Sequence, residues 1–115
     1  MNINNCINYI EFPLVNNQNT KRFYSQVFGW TFIDWGPDYI SFSGAGIDGG
    51  FNGTGEVQDK SPGALIVLYT DDLEQKVKDV INAGGKIAKK IYSFPGGRRF
   101  HFIDPNGNEL AIWSE

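Results

Sequence analysis

Between residues 6 and 12 apolar and polar side chains alternate with a period of two, so Ile7, Tyr9 and Glu11 point to one side of an extended segment and Asn8, Ile10 and Phe12 to the other. Pro13, which has no amide proton to give a strand ladder, ends it. The period then lengthens. In 20–28, Phe23, Tyr24, Val27 and Phe28 recur at helical spacing, with Asn17 placed to cap the N-terminus and Gly29 to close the C-terminus. Aromatic and β-branched residues dominate 30–35 and 38–43, which predicts two strands joined at Gly36-Pro37, and a third strand is expected near 47–51.

The second half repeats this order. Residues 64–70 form a strongly apolar strand, and Asp71-Asp72 opens a helix in which Asp72 and Gln75 have the spacing of a capping box. Leu73, Val77, Val80 and Ile81 supply the buried stripe of that helix, and Gly84-Gly85 stops it. Strands are predicted at 86–91, 98–103 and 108–113, the last two joined by the turn Asp104-Pro105-Asn106-Gly107, with loops at 52–63 and 93–97. Each half therefore reads β-α-β-β-β. The fold class is α+β: two such modules, about 5–55 and 62–115, within a single domain.

Length and composition narrow the functions this pattern can serve. At 115 residues, 41% of them hydrophobic and 20% charged, the chain is long enough for a real core and unlike a disordered segment. A net charge of -3 has the wrong sign for a nucleic-acid binder or for an anionic membrane surface. The first residues lack the basic and apolar regions of a signal peptide, no apolar run approaches the length of a membrane span, and Cys6 stands alone, so a soluble, cytoplasmic protein without disulfides is expected. One count weighs most. His101 is the single histidine, so neither a site with two histidines and a carboxylate nor a zinc site with paired histidines can be assembled within one chain. Gly44, Gly46, Gly49, Gly50, Gly53 and Gly55 read as turns and bulges and not as a phosphate cradle, because no helix with a Lys-Ser/Thr start follows them.

Phe23-Tyr24, Phe28-Gly29-Trp30 and Asp104-Pro105-Asn106-Gly107-Asn108-Glu109, set in two consecutive βαβββ units, resemble the vicinal-oxygen-chelate superfamily of glyoxalases, bleomycin- and fosfomycin-resistance proteins and extradiol dioxygenases. Glu11-Phe12-Pro13 and Ala111-Ile112-Trp113 look most like its glyoxalase-like branch. The resemblance implies modules that curl into a curved mixed sheet cup, helices on the outer face and a ligand or metal in the cup. It also implies pairing as a homodimer. The family's four metal-ligand positions fall on Tyr9, the Gly49-Gly50 region, about Leu65, and Ala111, none of which carries a usual ligand. Glu109 stands two residues early for that role. No metal and no other cofactor is therefore expected.

From the same resemblance, Tyr9, Glu11, Leu65, Val67, Arg99, His101, Ala111 and Trp113 are the expected lining of the cup, apolar and aromatic with three polar groups. Strand alternation alone leaves Glu11 free to face solvent. Arg98-Arg99 reads equally as a surface pair with Asp104 or Glu115, His101 as a hydrogen-bonded structural residue, and Tyr9 and Trp113 as packing aromatics. Two functions follow. The first is a metal-independent small-molecule-binding protein. The alternative is a glyoxalase-like lyase or isomerase in which Glu11 abstracts a proton next to a carbonyl and His101 or Arg99 steadies the enolate oxygen. An interaction module that has lost its ligand is a third reading.

Overall fold

Where alternating apolar residues meet a helix with one apolar stripe, a sheet with one covered face is the outcome, and the chain builds it twice. The computed structural model describes residues 2–5, 7–54 and 64–115. The chain divides into two units, Met1–Gln58 and Asp59–Glu115. Cys6 and most of the loop expected at 52–63 lie outside the described residues.

In the first unit, strand β1 (Tyr9–Pro13) precedes helix α1 (Asn17–Phe28), followed by β2 (Thr31–Asp34), β3 (Tyr39–Ser43) and β4 (Asp48–Asn52). The sheet order is β1-β4-β3-β2, with β1 and β4 parallel and the other neighbours antiparallel. Register places Phe12 beside Phe51 and Ile40 beside Phe51, so these rings share the face that α1 covers. Tyr24 stacks on Trp30 at 4.7 Å and lies 5.2 Å from Phe51, and Phe23, Tyr24, Ile40 and Phe51 are fully buried. Helix α1 starts three residues before the expected position. Its cap is Asn16, not Asn17: the Asn16 side chain accepts from the Asn19 amide at 2.9 Å, and its carbonyl accepts from Thr20 Oγ1 at 2.6 Å. Gly29 closes the helix at φ 74, as its position predicted.

The second unit repeats the plan with β5 (Ile66–Tyr69), α2 (Leu73–Asn82), β6 (Lys86–Phe94), β7 (Gly97–Ile103) and β8 (Glu109–Ser114), in the order β5-β8-β7-β6. Phe100, Phe102, Leu110 and Ile112 form its core with Leu73 and Val80 of α2. Ile81, expected in that stripe, is 54% exposed, because it falls beyond the arc of α2 that meets the sheet. Asp72 caps α2 through Gln75 N at 3.1 Å, but the reciprocal half of the capping box is not made. Gln75 instead reaches forward to Asp79, and the Asp72 amide donates to Thr70 Oγ1.

The largest departure from expectation is β6. It runs on to Phe94, so 93–97 is not a loop but the end of one strand, a tight turn at Pro95-Gly96 and the first residue of the next strand. Two register irregularities, between Ile87 and Lys89 and between Lys89 and Tyr92, bring Tyr92 opposite Arg99. The turn from β7 to β8 is held as its residues predict: buried Asp104 accepts from the amides of Asn106 and Asn108 at 2.9 and 2.8 Å, and Gly107 takes φ 88. Among the described residues the result is two helices and two open four-stranded mixed sheets. Among the described residues no helix is long and apolar enough to cross a membrane.

Candidate functional site

On each sheet the face turned away from the helix carries polar residues together with tyrosines. In the first unit, Tyr9 and Glu11 of β1, Gly50 and Asn52 of β4, and Tyr39 and Ser41 of β3 share that face, since Glu11 pairs with Gly50, Gly50 with Ser41 and Asn52 with Tyr39. Gly50 matters because it has no side chain. A Cβ there would stand 2.5 Å from the Tyr39 hydroxyl, so only glycine lets Tyr39 lie across β4 and reach Glu11 on the far strand. Tyr39 Oη donates to Glu11 Oε2 at 2.8 Å, and Asn52 Nδ2 donates to Glu11 Oε1 at 3.2 Å. The single Tyr39 proton is thereby committed, so the 2.5 Å contact between the Tyr9 and Tyr39 hydroxyls has Tyr9 as donor. Burial, followed by the hydrogen bonds with Tyr9 and Glu11, raises the Tyr39 pKa well above the usual tyrosine range, which keeps that proton on the phenol.

An open depression of about 470 Å³ adjoins this network. Tyr9, Trp35 and Tyr39 wall it, with Ser41, Ser43 and Asp48 as polar groups. Trp35 is 67% exposed, yet its indole is oriented by a 2.9 Å bond to Ser41 Oγ. Trp35, Tyr39 and Asn52 are absent from the residues expected from the sequence. The signal for Asn52 lies only in strand pairing, since it is 41 positions from Glu11.

In the second unit, the corresponding face carries Val67 and Tyr69 of β5, Glu109, Ala111 and Trp113 of β8, Arg99 and His101 of β7, and Tyr92 of β6. Four of these form one chain of hydrogen bonds. Arg99 Nε donates to Tyr92 Oη at 2.5 Å, Tyr92 Oη and His101 Nε2 are 3.0 Å apart, and His101 Nδ1 and Glu109 Oε2 are 2.8 Å apart. One arrangement of protons satisfies every member: Tyr92 gives its proton to Nε2, and Nδ1–H donates to the carboxylate. His101 is 4% exposed and thus a buried, doubly bonded residue. Arg98 and Arg99, adjacent in sequence, part ways. Arg98 pairs with Glu74 on α2 at 2.7 Å, and not with Asp104 or Glu115, while Arg99 lies 5.5 Å from the centres of both the Tyr92 and Phe94 rings. Trp113 sits 6.3 Å from Phe94 and 5.2 Å from Tyr69, whose hydroxyl donates to Glu115 at 2.6 Å.

The residues expected to line the cup therefore separate by accessibility. Tyr9, Glu11, Leu65 and Val67 are exposed, and Arg99 and Trp113 are half-buried. Ala111 is fully buried and presents no surface to a ligand. Tyr92 and Glu109, the partners of His101, were not among the expected residues. Tyr92 was missed because the strand carrying it was expected to end one residue earlier. The family's metal does not fit this donor set: its ligand positions fall on Tyr9, the Gly49-Gly50 region, about Leu65, and Ala111. Among the described residues no three His, Cys, Asp or Glu side chains come together as a metal site.

Comparison with known structures returns the same architecture. A glyoxalase/bleomycin resistance protein/dioxygenase family enzyme from Burkholderia phytofirmans PsJN is 20% identical, with a TM-score of 0.77 over 92% of this chain and 95% of that one. The fosfomycin resistance protein FosX from Listeria monocytogenes is 14% identical, with a TM-score of 0.79 over 98% and 95%. A lactoylglutathione lyase from Agrobacterium tumefaciens is 17% identical, with a TM-score of 0.71 over 96% and 93%. At these identities the likeness is one of fold. No curated protein matches the chain at a significant level. A family model does match, over residues 7–112, and by that match the chain belongs to the Glyoxalase/Bleomycin resistance protein/Dioxygenase superfamily.

Proposed function

We propose that this protein binds a small molecule on the open faces of its sheets without a resident metal. The observation that carries this reading is the depression walled by Tyr9, Trp35 and Tyr39, whose volume of about 470 Å³ lies in the range of ligand pockets and whose aromatic walls are held by hydrogen bonds to Ser41 and Glu11. Glu11 has a role of its own in this reading: each of its oxygens accepts one hydrogen bond, from Tyr39 and Asn52, so the carboxylate fixes the tyrosine pair that walls the depression. Pairing into a homodimer belongs to the same proposal, and sedimentation at two concentrations reads it.

The test is a thermal-shift screen of aromatic and polar small molecules against chelator-treated protein, with hits followed by calorimetry and by analysis of the recovered compound. Saturable binding that leaves the compound unchanged and is weakened by Trp35→Ala is the expected result. Turnover of a bound carbonyl compound that Glu11→Gln abolishes while binding persists would instead establish the lyase reading with Glu11 as base.

A further inference from the structure

Among the described residues Arg99 is a cation without a counter-charge. Of the described guanidinium and ammonium groups, Lys21 has Asp34 and Arg98 has Glu74 as ion-pair partners, but no carboxylate lies within ion-pair distance of Arg99 among the described residues. It is half-buried, and its single hydrogen-bond partner among them is the neutral Tyr92 hydroxyl. Two carboxylates of this unit have other partners: Glu109 meets His101, and Glu115 accepts from Tyr69. The Tyr92 and Phe94 rings steady this partly desolvated guanidinium but leave its charge unmatched, so an anion gains more here than at a fully hydrated arginine.

From this we infer that the open face of the second unit is a site for a flat aromatic carboxylate, bound by the two terminal nitrogens of Arg99 with its ring against Trp113 and Phe94. This deepens the proposed function and rests on it. The geometry selects both parts of the ligand. Because Nε is occupied by Tyr92, the edge of the guanidinium left for bidentate binding is the pair of terminal nitrogens, and their spacing matches the two oxygens of a carboxylate. Tyr92 and Phe94 stand equally close to Arg99, and Trp113 and then Tyr69 continue the row from Phe94, which offers a planar apolar body an aromatic wall beside the charge. His101 and Glu109 are positioning residues. They hold the Tyr92 hydroxyl, which in turn holds the plane of Arg99.

The probe is 2-naphthoate, titrated into the full chain and followed on the indole N–H of Trp113 and the Nε–H of Arg99 by heteronuclear NMR. The neutral amide and the aminomethyl cation of the same ring system are the controls. Naphthoate should move both signals saturably and bind at least about 10-fold more tightly than either control. Arg99→Met should weaken it about 10- to 100-fold, and Arg99→Lys, which keeps charge without the fork, by an intermediate factor. Tyr92→Phe keeps the ring and removes the tether, so it should weaken naphthoate and leave the weak amide binding unchanged. Amide spectra of each variant report whether it is folded. Equal affinity for acid and amide, indifference to Arg99→Met in a folded variant, or no saturable shift with naphthoate overturns the assignment. If the controls then bind at Trp35, the general binding proposal stands without this one; if no probe of any charge binds, both fall.

Discussion

Glycine at position 50 decides what Glu11 can be. With any larger residue, Tyr39 could not cross β4, and the carboxylate would lose the phenol that binds it from 28 positions away. Gly50→Ala should therefore destabilise the protein by about 1–3 kcal/mol, as overpacking does, and should return the Tyr39 ionisation toward the usual range in an ultraviolet titration. The sign of the pH effect follows from the same bond. Tyr39 holds its proton more tightly in the folded chain than in the unfolded one, so the stability it contributes is complete below its ordinary value of 10.0 and is lost progressively as pH rises beyond it. Denaturation midpoints measured above that pH should fall more steeply for the natural protein than for Tyr39→Phe, and parallel slopes would contradict the assignment. At this scale the sequence was partly legible. Alternation placed Tyr9 and Glu11 together on one face, but Asn52 and Tyr39 come to Glu11 only through pairing with β4 and β3, which no local pattern reveals.

Elements were legible where their ends carry local chemistry. Gly29 ended α1, Asp72 capped α2, and Asp104 to Gly107 turned β7 into β8, because each acts through backbone groups within a few residues. The start of α1 was harder to place in a run of asparagines, each able to cap; the structure selects Asn16. Asn16→Ala should cost about 1 kcal/mol in chemical denaturation, and Asn17→Ala less than that. Strand β6 was read too short, since Pro95-Gly96 suggests a loop when the pairing of Tyr92 with Arg99 is not in view. Gly97 tests the hairpin that results. A Cβ there would collide with the Ser114 carbonyl oxygen, a backbone atom that cannot swing aside, so Gly97→Ala should destabilise by at least about 1 kcal/mol and disturb the Arg98–Ser114 end of the β7–β8 ladder, visible in amide exchange.

Across the whole molecule, the repeated order of elements was readable because each half renews the change from period two to helical period and back. The absence of a usual ligand at the four family positions was readable as well, being a matter of residue identity. It carries a prediction: overnight treatment with a strong chelator should leave the thermal midpoint unchanged within about 1 °C, where loss of a structural metal would lower it by many degrees. A large drop would contradict this.

Residue type and spacing alone determined the α+β class, the two βαβββ runs, the helix stops and the lack of paired histidines, since all of these depend on near neighbours or on counting. Tertiary structure decided the partners. Arg98 and Arg99 are adjacent and chemically alike, yet one meets Glu74 on a helix and the other meets Tyr92 and Phe94 on a neighbouring strand. Alternation sends consecutive side chains to opposite faces of a sheet, and what waits on each face is set by strands distant in sequence.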